Sequence, residues 1–188
     1  MQLHMVGKFR DRLRWKSHTG SERIEDRGWS FNQIQDSALL QIAGSVAGVE
    51  DTTSGLFNNF SPIRYLALGT GNPSWDSDPN NVVKPVTQTS LTNELTRFAL
   101  AADDFQFLNQ SGSVLDPQEL SPRFKIIRIL GENDANGDLR EFGLFGGDAT
   151  VADDSGIMFN WITHPLIQKD ATLVIERVID IQFSINRS

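Results

Sequence analysis

The chain has 188 residues, 39% of them apolar and 9% aromatic, with a net charge of −7 and no cysteine. That length can bury a substantial core, and the lack of cysteine excludes a disulfide framework and any thiolate metal site. No apolar run approaches the ~18 residues of a membrane span, and the acidic balance with few stacking positions argues against nucleic acid as a partner.

The charge is unevenly spread. Residues 1–28 carry Lys8, Arg10, Arg12, Arg14, Lys16, Arg23 and Arg27 against Asp11, Glu22, Glu25 and Asp26, so a basic segment precedes an acidic body. Residues 1–16 alternate charged with apolar side chains, unlike the apolar core of a signal peptide. This alternation predicts a strand with Phe9, Leu13 and Trp15 on one face and Arg10, Arg12, Arg14 and Lys16 on the other. Asp11 is the polar intruder on the apolar face. A turn at residues 17–21 and a polar strand over 22–27 complete an expected hairpin. Ser30-Phe31-Asn32-Gln33 then has the form of a capping box ahead of Ile34, Ala38, Ile42 and Val46, a spacing that predicts a helix stopped at Gly48.

Residues 51–61 read as a loop, and 63–68 as a short buried strand ending on Gly69-Thr70-Gly71. A long polar loop carrying Trp75 follows, over residues 72–85. Leu91 and Leu95 bracket a short helix or turn. Further strands are expected over 98–109, 123–130, 139–146, 156–164 and 171–185, with a hairpin turn at Asn136-Gly137. In the final strand Leu173, Ile175, Ile179, Ile181, Phe183 and Ile185 share one face, interrupted by Arg177. The expected fold is mainly β, an antiparallel, jelly-roll-like β-sandwich with an N-terminal β-hairpin and one or two short helices. Residues 1–30 would form a basic hairpin arm and 31–188 the sandwich domain.

Motifs that carry chemistry are sparse. Gly69-Thr70-Gly71 lacks the spacing of a phosphate loop. Asp134, Asn136 and Asp138 offer oxygens two residues apart, as a calcium loop does, but without its glycine and bidentate Glu positions. Asp148, Asp153 and Asp154 gather in a Gly/Ala/Ser loop, where paired carboxylates could act as acid and base, though a solvated loop explains them. His4, His18 and His164 are scattered, and no Gly-x-Ser-x-Gly elbow occurs. Trp75, beside Asp76 and Asp78 on a polar loop, could stack on a sugar or anchor an interface.

Several of these segments occur in an order that resembles tail-associated structural proteins of tailed bacteriophages, a β-sandwich family of the baseplate and fibre region. They are Asn32-Gln33-Ile34; Ala67-Leu68-Gly69-Thr70-Gly71; Thr89, Leu91, Asn93, Glu94 and Arg97; Glu141-Phe142-Gly143-Leu144-Phe145; and Pro165-Leu166-Ile167-Gln168-Lys169, read as a turn before the terminal strand. The loop over 72–88 is longer than the family's linker, and Asn160-Trp161 departs from its pattern. The resemblance implies no catalytic residue, cofactor or metal. It implies a non-enzymatic virion protein, assembled in the host cytoplasm, that oligomerises and bridges neighbouring tail or baseplate components of a phage or related contractile injection particle.

On that reading Arg10, Arg12, Arg14 and Lys16 would meet an acidic patch on the next copy, either Asp148, Asp153 and Asp154 or the loop bearing Asp76 and Asp78. The alternative is a carbohydrate-binding module that holds host-surface glycan with Trp75, Asp76 and Asp78. A hydrolase using the Asp148, Asp153 and Asp154 cluster is the third reading.

Overall fold

In a computed structural model of the chain, residues 2–16, 20–38, 42, 63–79, 81–117 and 119–186 are described. Among the described residues nine strands follow in order: β1 (Gln2–Lys16), β2 (Glu22–Ile34), β3 (Tyr65–Gly69), β4 (Glu94–Ala99), β5 (Phe105–Phe107), β6 (Arg123–Leu130), β7 (Gly137–Gly146), β8 (Ile157–Lys169) and β9 (Leu173–Asn186). Short 3-10 turns occupy Pro73–Ser77 and Ala102–Asp104. The fold is mainly β, and every ladder of known register is antiparallel, as the alternation predicts.

The chain divides into two compact units. The first comprises Met1–Asn32, Ala101–Asn136 and Lys169–Ser188, and the second Gln33–Leu100 and Gly137–Gln168. The hairpin is therefore not an arm apart from the body: β1 pairs with β9 from Gln2 to Trp15 as well as with β2. In the first unit the strand order is β2-β1-β9-β6-β5.

Register explains the burial there. Phe9, Ile179 and Ile126 lie in one row across three strands, and Leu13, Ile175 and Leu130 in another. All six are buried, each fully buried Leu or Ile being worth ~1.5–3 kcal/mol. Between these rows Asp11 faces Arg177, so the interruptions of the apolar pattern in β1 and β9 fall in one register pair, with Arg128 of β6 opposite Arg177 on the other side. Arg177 Nε and Nη2 donate to the Asp11 carboxylate at 2.8 and 2.6 Å, with both side chains buried. Phe124 gathers Phe105, Phe107 and Phe183 around it at ring separations of 6.2 to 6.4 Å.

A bulge in β2 keeps the other face of this sheet in phase. Arg10 opposes Trp29 and Arg12 opposes Asp26, so two positions on β1 span three on β2. Gly28 takes the extra place at φ 69°, a conformation that glycine adopts without strain.

In the second unit the order is β4-β3-β7-β8. Leu66, Ala67 and Leu68 of β3 are all fully buried, so this short strand is apolar on both faces, as a continuous hydrophobic run predicts. Ala67, Leu91, Phe145, Ala149, Met158 and Trp161 form one core cluster, with Tyr65, Trp75 and Val82 packed against it.

Several local expectations are corrected. Ser30 to Ile34 belong to β2 and are not a helix cap, because Gln33 and Ile34 pair with Trp161 and Asn160 of β8. Asp36 to Ala38 and Ile42 are helical, and the rest of the expected helix, with the 51–61 loop, lies outside the described residues. Asn136-Gly137 does turn the chain, but β6 pairs with β5 and β9 while β7 pairs with β3, so it closes no hairpin between its flanking strands. The segment from Pro165 to Lys169 is the end of β8, not a turn.

Candidate functional site

The motif pieces at residues 69–71, 92–97 and 141–145 come together in the second unit. β3 ends at Gly69, and an added Cβ there would sit 2.7 Å from Asn93 O and from Glu141 Oε1, so only glycine fits. Glu141 is fully buried on β7. Its carboxylate accepts from Thr92 N at 3.0 Å, Asn93 N at 2.8 Å and Trp161 Nε1 at 2.7 Å. Thr70 N donates to Asn93 O, and Asn93 Nδ2 donates to Thr70 Oγ1. Three separate segments are thus fastened around one carboxylate, whose charge is compensated by convergent N–H donors.

Arg97 makes a second fastening. Its Nε and Nη2 donate to both Glu94 oxygens at 2.6 and 2.7 Å, and its guanidinium lies 4.8 Å from the Phe145 ring centre. The remaining Nη1 reaches Thr150 O at 3.2 Å and Ser155 O at 2.9 Å, clamping both ends of the acidic loop. Within that loop Ser155 Oγ accepts from Thr150 N and donates to Ala152 O. Asp148, Asp153 and Asp154 all point to solvent, with Val151 fully proud of the surface at 80% exposure. Burial and then the Glu94 carboxylate push the Asp154 carboxyl up. Its amide donates to Glu94 Oε2 at 3.1 Å.

Arg140, also buried, makes a third. It forks onto Asp76 at 2.7 and 2.8 Å and reaches Thr70 O and Asp138. The guanidinium holds the Asp76 carboxyl below its ordinary value. Trp75 meets Trp161 edge-on at 6.1 Å. Of the pair expected for sugar binding, Trp75 is thus half-buried against the core cluster, while Asp76 is exposed and held by Arg140. Asp78 is exposed and accepts from Asn81 Nδ2. The three residues with calcium-loop spacing are likewise engaged: Asp134 caps Gly131 N, Asn136 accepts from Lys169 Nζ, and Asp138 meets Arg140. Among the described residues no group of three His, Asp or Glu is placed to hold a metal ion. His164 is buried against Phe142, with Nδ1 2.9 Å from Pro165 O; His4 is exposed, and His18 lies outside the described residues.

The predicted basic stripe does lie on one face of the first unit, and most of it is matched by nearby carboxylates. Arg10 forks onto Asp26, Arg12 sits 3.9 Å from Glu176, and Lys16 donates to Glu132 at 2.6 Å; Arg14 is exposed. The stripe also continues where sequence reading did not follow it. Lys8, Arg10 and Arg12 of β1 face Arg123 and Lys125 of β6 across β9, enclosing a cleft of about 370 Å³ with Trp29 on its wall. Glu176, Val178 and Asp180 of β9 also line it. Asp180 is buried and takes both the Arg123 fork, at 3.1 and 2.7 Å, and Lys8 at 3.5 Å. Lys8 Nζ is 4.5 Å from the Trp29 ring centre. Lys8 and Trp29 were within reach of the alternation argument. Arg123 and Lys125 were not, since only the β6–β9 register brings them to this face.

Set against protein-family models, curated proteins and solved structures, the chain matches none.

Proposed function

We propose that this protein is a non-enzymatic structural subunit of a phage tail or baseplate, or of a related contractile injection particle, acting by self-association and by bridging neighbouring tail components. The observation that carries the reading is the fate of the motif residues. Gly69, Asn93, Glu94, Arg97 and Glu141 use their close approaches, carboxylates and guanidinium to fasten loops to strands. The segments whose order resembles that of tail proteins thus serve as a mechanical framework, which suits an assembly subunit. The division into a cationic face and an exposed acidic loop supports association between like copies through complementary charge.

The test is the mass of the full chain in solution by light scattering, at about 0.1 M and about 1 M salt, where screening lengths are about 10 and about 3 Å. A defined multimer that dissociates at the higher salt is expected. A monomer at every accessible concentration, which also fails to co-sediment with tail particles, would sink the reading.

A further inference from the structure

Resting on that reading, we propose that the cleft beside Trp29 is a socket for the loop spanning residues 147–156 of a second copy, in a head-to-tail contact.

The socket is built and charged. Lys8, Arg10, Arg12, Arg123 and Lys125 outnumber the three carboxylates that line the cleft or pair with them, Glu176, Asp180 and the Asp26 bound to Arg10, on a chain whose net charge is −7. Asp180 sits beneath the cations and orients Arg123 and Lys8, so their heads are fixed before any ligand arrives. Trp29 adds an apolar wall that is nearly half exposed. Trp and Arg are the side chains that most often anchor protein interfaces.

The loop is the matching plug. Asp148 and Asp153 stand on either side of Val151, whose side chain is exposed to 80%. An apolar tip between carboxylates complements an apolar wall between cations. The loop is also stiff: Arg97 holds Thr150 O and Ser155 O, Ser155 Oγ bonds across it, and Asp154 N is tied to Glu94. Little conformational freedom is therefore lost on docking. A nucleic-acid strand is the less suitable occupant, because the acidic body would repel a long polyanion around a small basic cleft.

Socket and plug are different surfaces, so the contact is heterologous and propagates from copy to copy. Two full-length variants test this. One blocks the socket (Arg12→Gln with Trp29→Ala), the other the plug (Val151→Lys with Asp153→Lys), and circular dichroism with a melting curve establishes that each is folded. Each variant alone is expected to associate at least about tenfold more weakly than the parent. Mixed, they are expected to form a one-to-one dimer and nothing larger, since one retains a plug and the other a socket. If the parent assembles while both folded variants assemble equally well, or while the mixture gives no dimer, the socket is wrong and the structural-subunit reading survives. A parent that never associates with itself overturns the socket, and the structural-subunit reading falls with it only if that parent also fails to co-sediment with tail particles. Binding of a labelled single-stranded oligonucleotide that is lost in the socket variant, without any dimer in the mixture, would assign the cleft to nucleic acid and overturn the proposal.

Discussion

Asp11 and Arg177 show how one register pair can reconcile two faults in an apolar pattern. Each alone is a charge in a hydrophobic row; together they satisfy one another through two hydrogen bonds. Removing one partner leaves an uncompensated buried charge, which costs about 3–5 kcal/mol, whereas replacing both by apolar groups of similar volume is commonly neutral or stabilising. Asp11→Leu and Arg177→Met are therefore each expected to lower stability by about 3–5 kcal/mol, and the double variant to recover most of it. Urea unfolding measures this, and additive losses would refute it. Glu141 is a different case, because three N–H donors converge on it. Glu141→Gln keeps the shape but turns an NH₂ toward a donor and removes the charge. The expected loss is about 2–3 kcal/mol, with a change in Trp161 fluorescence as its indole loses its acceptor.

At the scale of elements, β3 depends on its last residue. Gly69→Ala would drive a methyl group into Asn93 O and Glu141, neither of which can yield without undoing the fastening. A loss of about 1–3 kcal/mol is expected in the same unfolding assay. The existence of β3, β6, β7, β8 and β9 was legible in the alternation and apolar runs, and β6 matches the expected 123–130 at both ends. Partners were not legible. Period-2 patterns say which face a residue occupies, while pairing between strands more than 100 residues apart depends on register, so the β1–β9 ladder and the Asp11–Arg177 pair had to be seen. The capping box at Ser30 misled because Phe31 and Gln33 suit a strand equally well, and pairing with β8 decided the outcome. Glu141 and Arg97 were visible as motif letters. Their roles as fasteners were not, since each acts on segments about 50 residues distant. β1, bonded on both sides, is expected to exchange its amide hydrogens as slowly as β9; fast exchange in β1 alone would show that the hairpin opens as an arm.

For the whole molecule, the first unit is assembled from three stretches of chain, the first of which ends at Asn32, and the expected arm over residues 1–30 joins the other two within that unit. Deleting residues 1–30 removes all of β1 and most of β2 and uncovers one edge of β9. The remainder is expected to be insoluble or to lose part of its β signal by circular dichroism; a soluble, fully β product would contradict this. Acid should act through carboxylates held low: Asp26 by Arg10, Asp76 by Arg140, Glu132 by Lys16 and Asp170 by Thr172. Such groups stabilise the fold above their unfolded pKa, and that stability is lost as pH falls through their folded values; Asp154, pushed up, acts in the opposite sense. Stability is thus expected to decline below about pH 4. Asp76→Asn should be less stable than the parent at neutral pH and converge with it in acid, as read from urea midpoints across pH. The position of β9 carries one more consequence, for the chain while it is being made. β1 and β6 both need β9 between them, yet β1 ends at Lys16 and β9 begins at Leu173. At ~5–20 residues per second, the ribosome holds the first strand waiting roughly 10 to 30 s for its neighbour. Through that interval Phe9 and Leu13 remain uncovered by β9, so the yield of native protein in the cell should respond to translation speed and chaperone supply more than the finished molecule's stability would suggest.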